Sequence, residues 1–136
     1  MANEVKQTGG VRFECVTPIL NVSNMQNSLA YYVEKLGFKI AWQWGDPVGF
    51  ACVARDGVEL FMCEGAQGAG AVWLSVFVDD VDSLHNDYLQ RGVNIIQPPT
   101  NFPWGVREMN IEDPDGHRLR IGCESTAESD GVSLAE

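Results

Sequence analysis

Basic residues are scarce in this chain of 136: nine Lys and Arg stand against 19 Asp and Glu, giving a net charge of −10. Phosphate binding needs clustered cations, so nucleic acid is not an expected partner. Long apolar runs are missing too. No stretch approaches the roughly 18 apolar residues of a membrane-spanning helix, so no membrane association is expected. The first ten residues, MANEVKQTGG, lack the apolar segment of a secretory signal, and a cytoplasmic location is expected. The four cysteines, Cys15, Cys52, Cys63 and Cys123, show no CxxC spacing and lie in or beside apolar strand-like runs. They read as reduced core residues, with disulfides the alternative. Catalytic signatures are also absent: there is no GxSxG, no P-loop, no HExxH and no GxGxxG opening a helix. The two histidines and four cysteines leave a Cys–His pair open by composition, but no cysteine has an identifiable activating context.

What is present is ordinary globular composition, 45% hydrophobic and 21% charged, enough for one compact domain with a core. Residues 101–121 are the most informative stretch. Pro103-Trp104-Gly105 presents a large ring in a loop, and an alternating run follows. Asp113-Pro114-Asp115-Gly116 is a turn signal, and His117-Arg118-Leu119-Arg120-Ile121 alternates again. One face of that last strand carries Leu119 and Ile121; the other carries two arginines and should line something wet.

Taken in order, the chain reads as two copies of one pattern. A strand over 13–22 holds Pro18, which cannot donate to a ladder and so marks an edge or exchanged strand. Ser23-Asn24 caps a helix over 25–36, ended by Gly37. Strands over 38–44, 48–54 and 58–63 follow, then the Gly-rich connector 65–70. The order begins again with a strand over 72–78, a helix over 81–91 capped by Asp79-Asp80 and ended by Gly92, a strand over 93–97, and the hairpin already described. LNVSNMQNSLAYYVEKLGF and VFVDDVDSLHNDYLQRGV align about 55 residues apart. The expected fold is α+β: two βαβββ modules, 13–64 and 71–123, in one domain, forming a curved mixed-sheet cup between flexible termini 1–12 and 124–136.

Period-two alternation assigns the faces. Leu60 and Met62 should meet a helix, which sends Glu59 and Phe61 into the cup. Trp73, Ser75 and Phe77 take the same side of their strand, as do Thr17, Ile19 and Asn21, and Arg118 and Arg120 in the last. Any one of these aromatics alone is explained by core packing; several on non-helix faces are not.

These residues resemble the vicinal-oxygen-chelate superfamily of glyoxalases, dioxygenases and antibiotic-resistance proteins. The likeness rests on the paired modules, Leu36-Gly37-Phe38 and the Asp113–Gly116 turn, and spans residues 13–123. Within it the chain is most similar to bleomycin-resistance binding proteins, through Thr17-Pro18-Ile19-Leu20, Phe50-Ala51 running on to Arg55-Asp56, and Pro103-Trp104-Gly105 ahead of Arg107-Glu108. Metal-using members place ligands in the first and last strand of each module. Those four slots hold Thr17, Glu59, Trp73 and Arg120 here, and only Glu59 is a natural ligand: indole offers no lone pair and arginine no acceptor. No metal and no other cofactor is expected. Opposed slots would instead let Glu59 and Arg120 pair where a cation sits in those members.

The resemblance implies a domain-swapped homodimer with an exchanged N-terminal strand and ligand grooves at the subunit interface. It implies sequestration of a small antibiotic without catalytic residues. Trp104, Phe38, Trp42, Trp44, Phe50, Glu59, Phe61, Trp73 and Arg120 are the expected ligand-binding residues. Aromatic walls suit planar heteroaromatic ligands and attract cations. The acidity, 14 acids against 7 bases over residues 13–123, either serves solubility or favours cationic ligands. The alternative function is an enzyme of the same superfamily with a metal-independent or unrecognised mechanism.

Overall fold

The computed structural model describes residues 10–12, 14–65, 67–125, 127, 128 and 130. Its first half runs β1 (Ile19–Val22), α1 (Met25–Ala30, continuing as a π-helical turn over Tyr31–Lys35), β2 (Lys39–Trp44), β3 (Phe50–Arg55) and β4 (Val58–Glu64). The second half runs β5 (Trp73–Phe77), α2 (Val81–Arg91), β6 (Ile95–Asn101), β7 (Val106–Glu112) and β8 (Arg118–Glu124). Each half makes its own four-stranded sheet, in the orders β1-β4-β3-β2 and β5-β8-β7-β6. The first strand of each half lies parallel to the last, and the other neighbours are antiparallel. Two βαβββ modules are therefore present, as the repeat in the sequence implies.

The first strand is shorter than expected. Pro18 has no N–H to give, and pairing begins where its carbonyl accepts from Phe61 N at 2.9 Å. Residues 14–18 precede the ladder as non-strand chain, and Phe13 lies outside the described residues. The strand forms a sheet edge, where a proline beside it costs no ladder bond. The first helix also differs, because its last turn widens so that Leu36 N reaches Tyr31 O at 3.1 Å, five residues back. In the second module, β6 extends through Pro98-Pro99 to Asn101. The register jumps from the Gln97–Asn110 pair to the Thr100–Glu108 pair, so the two residues without N–H groups fall in the irregularity of an edge strand.

Asn24 and Asp80 cap the helices, accepting from Asn27 N and Ser83 N. Gly92 closes α2 in the left-handed region, φ 74°. The helix-facing side chains of both sheets, among them Leu20, Leu60, Met62, Met109, Leu119 and Ile121, share one core with Tyr32, Leu36, Val81 and Tyr88 from the helices. The modules are locked together by hydrogen bonds across that core. Tyr32 Oη donates to Asp113 at 2.9 Å, Tyr31 Oη to Glu112 O at 3.0 Å and Tyr88 Oη to Leu36 O at 3.1 Å. The opposite face of each sheet is left open.

Of the termini expected to be flexible, residues 1–9 and 131–136 lie outside the described residues. The described part of the tail is attached: Glu124 ends β8, Ser125 N donates to Gly105 O, and Asp130 N donates to Asn101 O at 2.8 Å.

Candidate ligand-binding faces

The alternation read from the sequence appears as burial. Leu60 and Met62 are buried while Glu59 is exposed and Phe61 half-buried. Leu119 and Ile121 are buried while Arg118 and Arg120 are half-buried. Trp73, Ser75 and Phe77 are all exposed on β5.

On the open face of the first sheet, Trp42 and Phe50 stack with ring centroids 5.5 Å apart and planes 3° from parallel. Phe61 meets both edge-on, at 5.2 and 5.6 Å. β2 and β3 pair here, and the aromatic residues are neighbours because Trp42 faces Cys52 and Cys52 faces Phe61 across three strands. A cavity of about 700 Å³ opens over Trp42, Trp44, Pro47, Phe50 and Cys63, with Trp44 74% exposed at its mouth. Glu59 lies on the same face as Phe61 and has no ion-pair partner among the described residues.

On the open face of the second sheet, a smaller cavity of about 340 Å³ is lined by Trp73, Gln97, Phe102, Trp104, Glu108, Asn110 and Arg120. Trp104 stacks on Phe102 at 4.7 Å and 19° and stays 41% exposed. Trp73 carries the Arg118 guanidinium 5.4 Å from its ring centroid. Arg120 Nη2 donates to both carboxylate oxygens of Glu108 at 3.0 Å, and Asn110 Nδ2 reaches Gln97 Oε1 at 3.4 Å.

The expected site residues therefore fall into two groups. Trp42, Trp44, Phe50 and Phe61 come together with Glu59 on the first sheet; Trp73, Trp104 and Arg120 come together on the second. Phe38 joins neither group: it is 6% exposed and packs edge-on against Tyr32 in the core. The expected Glu59–Arg120 pair is not made within the chain. The two residues belong to different sheets, and Arg120 is satisfied by its neighbour on β7. Glu108, Asn110, Gln97 and Phe102 were not anticipated as lining. The signal for two of them was in the hairpin register, since Asn110 faces Arg120 and Glu108 faces Gly122 across β7 and β8.

Among the described residues, no three His, Cys, Asp or Glu side chains come together as a metal site. The residues at the expected slots do not suit a divalent ion, since Arg120 holds Glu108 and Trp73 lies under a guanidinium. His117 is structural. Its Nδ1 accepts from Val72 N at 3.1 Å, which leaves the hydrogen on Nε2 to donate to Asn21 O at 2.9 Å. Burial pushes the Cys52 thiol up from its ordinary pKa, the opposite of what a nucleophile needs. Among the described residues no helix is long and apolar enough to cross a membrane.

A family model of the glyoxalase/bleomycin resistance protein/dioxygenase superfamily matches residues 12–121, all of the first module and the second as far as the middle of β8. The chain belongs to this superfamily. No curated protein matches it. Among solved structures, TnmS3, an antibiotic binding protein from Streptomyces sp. CB03234, superposes with a TM-score of 0.72 at 27% identity, covering 85% of this chain and 99% of that one. A superfamily member from Sphaerobacter thermophilus superposes at 0.68 with 25% identity, covering 82% and 98%. TioX from Micromonospora sp. ML1 shares the fold, with a TM-score of 0.73 at 20% identity over 82% of this chain and 99% of that one.

Proposed function

We propose that this superfamily member is a non-catalytic binding protein that sequesters a small antibiotic, cationic or planar aromatic, of the bleomycin-like class. The observation that carries the reading is the pair of open sheet faces bearing Trp42, Trp44, Phe50 and Phe61 on one side and Trp73 and Trp104 on the other. Rings of this size, left in water on a folded chain, favour a partner that covers them. Their flat faces suit heteroaromatic rings, and the negative π surface beside the unpaired Glu59 suits a cation. Likeness to TnmS3 supports the antibiotic class.

Each face by itself is half of a cup. In the proposed assembly, a homodimer sets the first sheet of one copy beside the second sheet of the other, so that both aromatic groups line one groove. A cytoplasmic location belongs to the same reading: all four cysteines are unpaired, the state that reducing surroundings maintain.

Native mass spectrometry against a panel of glycopeptide and peptide antibiotics, bleomycin included, tests both parts. The expected result is a dimer that takes up two molecules of a panel member without altering their mass. A monomer at micromolar concentration removes the shared groove, and turnover of a panel member removes sequestration.

A further inference from the structure

The two modules repeat one pattern of elements, yet their turns dock differently. In the second module, the β7–β8 turn plugs against the start of α1. Asp115 accepts from Ser23 N at 3.0 Å and from Ser28 Oγ at 3.3 Å, and Asp113 accepts from Tyr32. The counterpart in the first module is the β3–β4 turn, Arg55-Asp56-Gly57, facing the start of α2. There the repeat replaces the neutral Ser23-Asn24 by Asp79-Asp80. Asp56 therefore shares its cleft with two carboxylates, where Asp115 meets N–H and O–H donors. Like charges do not close on each other, and a cleft of about 710 Å³ remains between the modules.

The floor of this cleft is apolar, made by the helix-facing strand residues Val58, Val76, Leu119 and Ile121 together with Leu84 of α2. Its rim carries Asp56, Asp79, Asp80 and Asp87. The one base in the lining, Arg55, is turned inward and donates to Leu36 O at 2.6 Å. Asp87 is paired with Arg91 at 2.9 Å and Asp80 is engaged by Ser83. Asp56 and Asp79 have no ion-pair partner among the described residues.

We propose that this cleft is a second binding site, for small ammonium cations with a compact aliphatic or arylalkyl body. The ammonium group sits between Asp56 and Asp79, supplying the donors that the missing turn contacts would have supplied, and the apolar body covers the floor. The site lies on the helix side of the sheets, so it does not depend on the aromatic faces or on their proposed ligand.

Two probes of nearly equal shape separate charge from apolar filling: 1-aminoadamantane and 1-adamantanol, neither of which presents a plane for stacking. In ¹H–¹⁵N NMR titrations of the full chain, the amine is expected to shift amides of residues 55–58 and 79–84 saturably. Its affinity should exceed that of the alcohol by about tenfold, the scale of one charge-assisted contact. The Asp56→Asn/Asp79→Asn variant, which spares the capping Asp80, should lose that tenfold for the amine and leave the alcohol unchanged. Trp104→Ala should leave both probes unchanged. Equal affinities for amine and alcohol, or no shifts with either, overturn the proposal. Cleft amides that shift on diluting the protein, and not on adding amine, also overturn it, since a second copy then covers the cleft.

Discussion

Tyr32 donates its hydroxyl hydrogen to Asp113 over 2.9 Å although 81 residues separate them. The bond ties the first helix to the hairpin turn of the other module, and both partners are buried, at 0 and 5% exposure. Asp113 Oδ1 also accepts from the backbone of Asp115 and His117, at 2.9 Å each, so one carboxylate shapes the turn and fastens it. Tyr32→Phe removes one donor from a buried acceptor and should cost about 1–3 kcal/mol. Urea denaturation of the two proteins measures it; an unchanged midpoint would mean that water replaces the hydroxyl.

The same carboxyl sets a pH dependence. Burial raises its pKa above the ordinary aspartate range, outweighing the lowering by the Tyr32 hydroxyl and the backbone donors. The folded chain thus keeps a proton that the unfolded chain releases above about pH 4. The resulting contribution to stability is fully present below that pH and is lost as pH rises through the raised value. Asp113→Asn has no such proton. Wild-type stability relative to Asp113→Asn should therefore fall as pH rises from about 4 and then level off. A difference that stays flat, or rises, contradicts this assignment.

Local rules made the modules legible and left their docking hidden. Alternation at Glu59-Leu60-Phe61-Met62 and at Arg118-Leu119-Arg120-Ile121 announces which side of each strand is buried, because the period of two needs no knowledge of the partner. Asn24, Asp80 and Gly92 mark helix ends by chemistry that acts within a few residues. Nothing local says that Tyr32 meets Asp113, or that Arg55 reaches Leu36 O, and so the closure of the core between modules could not be read. The ligand faces were legible as faces. Glu108 was missed as the partner of Arg120 because reasoning from metal slots pointed to Glu59, while the register of β7 against β8, which sets Glu108 two residues from the position facing Arg120, decides the pair. Phe38 was misplaced because a register shift between Ile40 and Trp42 turns the entry to β2 toward the core, out of phase with Trp42 and Trp44.

Gly37 and Gly92 end equivalent helices in the left-handed region, φ 83° and 74°, yet they should respond differently to alanine. A Cβ at Gly92 meets only Lys35 Nζ at 3.9 Å, so the cost is that of the backbone alone, about 1 kcal/mol. A Cβ at Gly37 would lie 2.7 Å from Arg55 Nη1, the atom bonded to Leu36 O. Gly37→Ala should therefore be the more destabilising by thermal melting, and equal losses would show that Arg55 swings aside freely.

Arg120 and Glu108 form a pair of unequal exposure, 40 and 13% of their side chains. Removing the arginine strands the more buried partner. Arg120→Met should cost about 1–3 kcal/mol, toward the lower end because solvent screens the exposed guanidinium. Arg120→Met/Glu108→Leu should recover part of that loss, since no charge is then left unpaired. A double variant less stable than the single one would assign the carboxylate an independent role.

Trp104 is the residue on which the proposed ligand reading depends most directly. It sits in the connection between β6 and β7, stacked on Phe102 and open on its other face, at the wall of the cavity that also holds Trp73 and Arg120. A planar ligand laid on that free face extends an existing stack and needs no rearrangement of the chain. Such stacking contributes about 1 kcal/mol beyond the area it buries. Trp104→Ala should therefore weaken binding of a bleomycin-type ligand by roughly tenfold or more, one decade being about 1.4 kcal/mol. The substitution also bares the buried Phe102 ring, so a modest loss of stability is expected with it. Trp104→Phe separates the two effects, because a smaller ring still covers Phe102 while offering less surface to the ligand. Calorimetric titration of all three proteins should give affinities in the order wild type, Trp104→Phe, Trp104→Ala. Equal affinities across the series place the ligand elsewhere and shift attention to the Trp42–Phe50 stack on the other sheet.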